Sequence, residues 1–125
     1  MTLRDVEPML SDSSFLSTAA LAYADPSSFL HPYVSPVHAD FAPCFPPSLI
    51  QVGTRDLFLS NAVRMYQALD SANQQVTLDV YEGMWHLFQS MPVDLPEARV
   101  ARAKVCAFLQ SVWSGWCPDT GRREH

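Results

Sequence analysis

Positive charge is scarce in this sequence: eight Lys and Arg stand against 13 Asp and Glu, leaving a formal charge of −5. The basic residues are scattered, and the one tight group, Arg122-Arg123, sits in a polar tail. A nucleic-acid backbone and an anionic membrane surface both reward clustered Lys and Arg, so neither is an expected partner. Long apolar runs are missing too. No stretch approaches the roughly 18 residues that a membrane-crossing helix needs. The first ten residues carry Arg4, Asp5, Glu7 and Pro8 where a secretory signal would need an unbroken apolar segment, so the cytoplasm is the expected location. Cysteine is limited to Cys44, Cys106 and Cys117, without C-x-x-C spacing and odd in number. That excludes a disulfide framework and a zinc site, and all three are expected as reduced packing residues.

What is present fits one globular unit, with 48% hydrophobic and 17% charged residues. Residues 11–24, SDSSFLSTAALAYA, place Phe15, Leu16, Ala19, Ala20 and Tyr23 at helical spacing behind a serine and aspartate cluster suited to an N-cap. Six of the ten prolines follow, between Pro26 and Pro47, where lost backbone donors favour extended and turn conformations. We expect ordered loop there, because Phe29, Tyr33, Val34, Phe41 and Phe45 would otherwise sit in water.

A regular pattern then begins. Ser48 to Val52, SLIQV, reads as a short strand stopped by Gly53. Leu59, Ala62, Val63, Tyr66 and Leu69 form one stripe of a helix over 58–72, with Arg64, Gln67 and Asp70 facing away. Val76 to Tyr81, VTLDVY, alternates and is rich in β-formers. From Pro96, a natural first helical residue, Ala98, Ala101, Val105, Phe108, Leu109 and Val112 line one side of a final helix. Strand, helix, strand, helix implies parallel strands joined by a crossover, hence an α/β layer. Two strands are few for a parallel sheet that needs both faces covered, so the unit reads as incomplete.

The stretch VYEGMWHLFQ, Val80 to Gln89, raises the functional question. Loops that follow neighbouring parallel strands leave the sheet at the same edge. Asp56 follows SLIQV through Gly53-Thr54-Arg55, and His86 follows VTLDVY through Glu82-Gly83-Met84-Trp85. If the strands are neighbours, a carboxylate can fix the imidazole tautomer and steady its cation. The same residues also read as a satisfied, partly buried histidine between Trp85 and Leu87, and as an Asp that caps the next helix. Arg55 would favour the ionised carboxylate only if it packed close; a solvated arginine is the simpler expectation.

QVGTRDLFLSNAVRMYQAL followed by VTLDVYEGMWHLFQ resembles the carboxyl-terminal part of an α/β-hydrolase (alpha/beta hydrolase fold-3) of the hormone-sensitive lipase family of esterases. The upstream DPSSFLHPYVSPVHADFAPCFPPSLI is similar to that family's approach to its penultimate core strand, so the resemblance covers about residues 25–112. It implies a partial α/β-hydrolase fold: a C-terminal β-α-β-α segment of a parallel sheet, preceded by a helix and a Pro-rich loop. It implies a Ser-Asp-His triad acting on a carboxylic ester or lipid, with Asp56 as acid and His86 as base. Homodimers built on the last strand are implied as well. Met84, Trp85 and Phe88, with Met91, would then line an acyl pocket, though plain core is an equal reading of them.

One departure matters more than the match. The family's nucleophile sits in G-x-S-x-G and its oxyanion hole in an HGG-type motif. This chain's four glycines, at 53, 83, 115 and 121, frame no such serine, and Ser114-Gly115 follows His86 in the wrong order. The expectation is therefore a hydrolase portion that carries acid and base but is inactive alone, divided as 1–24, 25–113 and a tail at 114–125. The alternative is a non-catalytic interaction module that associates through its sheet edge. His31, His38 and Asp40 match no metal-ligand spacing, and no metal, nucleotide, flavin or other cofactor is implied.

Overall fold

The structure, a computed structural model, describes residues 13–41, 45–92 and 94–115. The amino-terminal helix α1 spans Ser13–Tyr23. The serine and aspartate positions 11 and 12 of its expected cap, the tail from 116 onward, Cys44 and Cys117 lie outside the described residues. Its apolar stripe is a correction: Phe15 and Tyr23 are exposed at 64% and 72%, Ala19 and Ala20 are exposed too, and of the five Leu16 alone is half-buried. Helical periodicity marks a face that needs a cover, and the rest of the described chain leaves this one largely uncovered.

The Pro-rich segment folds into two short 3-10 turns, Pro26–Ser28 and Pro36–His38, each opened by a proline whose ring presets φ. Asp25 caps the first, accepting from the Ser27 amide at 2.9 Å and the Ser27 hydroxyl at 2.6 Å. Those two bonds, the hydroxyl's first, lower the carboxyl's pKa. Of the five residues expected to be sheltered, Val34, Phe41 and Phe45 are half-buried, and the last two meet edge to face at 5.0 Å. Tyr33 and Phe29 are exposed at 88% and 36%, contrary to expectation. In this segment the ring of Tyr33 finds only His31, 5.5 Å away, as a described ring partner.

Strand β1 (Ser48–Gly53) and strand β2 (Val76–Tyr81) pair in parallel, in register from Ser48 opposite Val76 to Gly53 opposite Tyr81. Among the described residues these two strands are the sheet. Helix α2 (Leu59–Ser71) makes the crossover. It buries Leu69 at 1% exposure, keeps Leu59, Ala62, Val63 and Tyr66 half-buried, and turns Arg64, Gln67 and Asp70 to solvent, as its stripe requires.

Helix α3 (Pro96–Gly115) packs on a third 3-10 turn, Phe88–Ser90, and on β1. Ala98 and Ala101 are fully buried against Phe88, with Tyr81, Met84, Trp85 and Leu95 around them. Small residues bring the helix backbone close enough for Gln51 Nε2 to donate to the Ala101 carbonyl at 3.0 Å. Leu109 corrects the sequence reading: it is 57% exposed, and Trp113 is 86% exposed. Cys106 is likewise exposed instead of packed. Two strands support only the first turns of a 20-residue helix, so burial fades along its length.

Lys104, on α3, donates to both oxygens of Asp79 on β2 at 3.0 Å. That bond raises the lysine's pKa. Burial, and secondarily Asp79, raises that of Tyr81, whose ring lies 5.6 Å below the ammonium. No helix among the described residues is long and apolar enough to cross a membrane.

Candidate active site

Both loops that leave the carboxyl edge of the sheet are tied together by their backbones. The Thr54 amide donates to the Tyr81 carbonyl at 2.9 Å, and the Arg55 amide donates to the Met84 carbonyl at 2.9 Å. The Thr54 hydroxyl accepts the Gly83 amide at 2.8 Å. Two glycines make this approach feasible, for different reasons. A Cβ at Gly53 would fall on the Met84 carbonyl, whereas Gly83 has open space around it but a φ of +72°.

Asp56 follows the first strand and is 5% exposed. One carboxylate oxygen accepts the Phe58 amide at 2.8 Å, at the start of α2. The other lies 3.1 Å from His86 Nδ1. The expected cap role is corrected: the residue that opens α2 is Phe58, which makes no side-chain cap bond, so the first oxygen of Asp56 closes a turn ahead of the helix while the second meets the ring. A carboxylate only accepts, so the Nδ1 nitrogen carries the hydrogen and Nε2 carries the lone pair in the neutral ring. The His86 side chain is 26% exposed, against 7% for Asp56, so the acid is sheltered and the imidazole reaches the surface.

Two further residues hold the ring in place. The Phe58 ring lies 5.1 Å from the imidazole, tilted by 58°. Leu87, directly after His86, adopts the left-handed region at φ 56° and ψ 24°. For a leucine that conformation costs about 1–2 kcal/mol. It turns the chain so that His86 stays at the sheet edge while Phe88 drops into the core.

Asp56 and His86 are thus brought together, and of the pocket candidates Met91 is half-buried. Phe88 is 1% exposed and fills the core, and Met84 and Trp85 pack half-buried against the same cluster. Their environment is that of core side chains. Gly53, Thr54 and Phe58 were not singled out from sequence; the one signal available was the Gly-Thr pair directly after the first strand. Among the described residues, no group of three or more His, Cys, Asp and Glu is arranged to hold a metal ion.

The pair has a direct spectroscopic consequence. Asp56→Asn keeps the shape but presents an amide that can donate or accept, removing a charge-assisted bond worth about 1.5–3 kcal/mol. Nitrogen-15 spectra of the neutral His86 ring will therefore show the Nδ1–H form in the parent chain, and a tautomer ratio shifted by about tenfold or more in the variant. An unchanged ratio would mean that the carboxylate does not set the tautomer.

The chain is similar to proteins of known family and fold. The family described as alpha/beta hydrolase fold matches residues 3–90. An esterase of Acinetobacter venetianus is 35% identical over 81 residues, covering 65% of this chain and 26% of that protein. An acetyl-hydrolase of Streptomyces hygroscopicus is 33% identical over 110 residues, covering 88% of this chain and 36% of that protein. The chain therefore spans about a quarter to a third of the length of these curated relatives. Among solved structures, a hormone-sensitive lipase homologue from a metagenome library, EstE7, superposes with a TM-score of 0.79 at 25% identity, covering 87% of this chain and 37% of that one.

Proposed function

This chain belongs to the alpha/beta hydrolase fold family, on its hormone-sensitive lipase side, and we propose from that premise that Asp56 and His86 are the acid and base of a serine-esterase triad. Residues 25–113 are, in this reading, the carboxyl-terminal portion of the hydrolase domain. The observation that carries the proposal is the 3.1 Å contact between a buried carboxylate and a partly exposed imidazole, at the ends of adjacent parallel strands.

The chemistry follows from the tautomer. With Nδ1–H directed at Asp56, the Nε2 lone pair can take the proton of an attacking serine hydroxyl while the serine oxygen bonds to the ester carbonyl carbon. The ring becomes a cation that Asp56 stabilises. It then returns that proton from Nε2 to the leaving alcohol as the carbon–oxygen bond breaks, leaving an acyl-enzyme. Water repeats the cycle. Carboxylic esters or lipids are the proposed substrates, and a cytoplasmic setting belongs to the same proposal.

The serine and the oxyanion donors have no counterpart among this chain's glycine-framed positions, so the 125-residue protein is proposed to be inactive on its own. Purified chain and its His86→Ala variant will release p-nitrophenol from p-nitrophenyl butyrate at the same background rate. Turnover by the parent chain that disappears in the variant would show that a nucleophile is present after all.

A further inference from the structure

The bond between Thr54 and Gly83 joins residues 29 positions apart, which is unusual work for a hydroxyl directly after a strand. Threonine hydroxyls in turns ordinarily bond their own neighbourhood. Here the oxygen instead takes the amide of Gly83, a residue of the His86 loop with a left-handed φ of +72°. Gly83 is three residues before His86, and Thr54 is two residues before Asp56. The bond therefore ties the approach to the base onto the approach to the acid, alongside the Arg55 amide on the Met84 carbonyl and the Thr54 amide on the Tyr81 carbonyl.

We propose that Thr54 is a positioning residue for the Asp56–His86 pair: its Oγ1, by accepting the Gly83 amide, sets the path of residues 83–86 and so the orientation of the imidazole. This rests on the reading of that pair as triad acid and base, and it adds a residue that touches neither partner. Two of the three loop-to-loop bonds are backbone bonds that any residue except proline can make at 54 and 55. The third needs a side-chain acceptor on a short stem, which threonine and serine supply and valine, of the same shape as threonine, does not.

The test uses the full 125-residue chain with Thr54→Val and Thr54→Ser, and needs no turnover. Its failure is thus separate from the failure of an activity assay. Two quantities are read: hydrogen exchange at the Gly83 amide, and the nitrogen-15 signature of the His86 ring. In Thr54→Val the Gly83 amide should exchange roughly tenfold faster than in the parent, and the ring should lose its pure Nδ1–H signature. Thr54→Ser should restore both. A folded Thr54→Val that keeps the parent ring signature overturns the positioning role, because a hydroxyl that served only stability would leave that signature alone. If Thr54→Val does not fold, the parent and Thr54→Ser decide. A Gly83 amide that exchanges in the parent like an open loop amide overturns the proposal, as does a folded Thr54→Ser with an altered ring. Protection in both, with the ring unchanged, supports it.

Discussion

A hybrid esterase in which this chain replaces the matching 81-residue segment of the Acinetobacter venetianus relative will hydrolyse short p-nitrophenyl esters, and His86→Ala will lower its kcat by about a million-fold. Asp56→Asn will lower it by about ten-thousand-fold. The two losses differ because the groups do different things. In the proposed triad the imidazole would move the proton in both directions, so its removal would leave the serine un-ionised and the leaving alcohol unprotonated. The carboxylate would move no proton; it would select the Nδ1–H tautomer and steady the cation. With the carboxylate gone, a fraction of rings still presents Nε2 correctly, and the ring still sits against Phe58. Far-UV circular dichroism of each variant separates a chemical loss from unfolding. An active hybrid in which His86→Ala costs less than about tenfold would assign the base to another group, and a folded hybrid without turnover would overturn the triad reading.

Gly53→Ala is the second large effect, this time on stability. The added methyl would occupy the position of the Met84 carbonyl, and backbone atoms cannot rotate out of its way. Relief requires either that β1 and β2 part at their carboxyl ends or that residues 82–86 shift as a block. We expect a cost of about 3 kcal/mol, read as a lowered urea midpoint at unchanged slope. Gly83→Ala is the informative contrast. Nothing lies within 4 Å of a methyl there, so only the φ of +72° resists it. That conformation costs an L-residue about 1–2 kcal/mol. Gly53→Ala should also move Met84 away from the Arg55 amide and with it displace His86 from Asp56. Equal costs for the two substitutions would mean that the loops do not approach as closely as this geometry requires.

Those two glycines show where sequence reading stops. Elements governed by local pattern were legible: Val76–Tyr81 has the expected bounds, β1 ends one residue later than SLIQV, at Gly53, and α3 starts at Pro96. The stripe of α2 faces inward as its spacing demands. The placement of Asp56 and His86 at one edge followed from strand order, because parallel neighbours deliver their loops to the same side. What periodicity does not contain is the identity of the cover for each apolar face. Phe15 and Leu109 are correctly spaced on their helices yet stand in solvent, since nothing in a helix's own pattern reports what lies opposite. The bond of Thr54 with Gly83, 29 positions apart, is invisible for a related reason. It depends on register, which the pairing of Gly53 with Tyr81 decides. Phe88 read equally as pocket wall and as core; its 1% exposure comes from the left-handed turn at Leu87, which spacing alone does not announce.

The single crossover from β1 through α2 to β2 has an implication for how such chemistry can be passed on. Acid and base lie 30 positions apart but belong to one supersecondary unit, whose internal bonds hold their separation. On the proposed triad reading, any rearrangement that carries residues 48–88 as a block carries a finished proton-handling half-site with its tautomer already chosen. The partner sequence then has one geometric problem left to solve, which is to bring a hydroxyl up to Nε2.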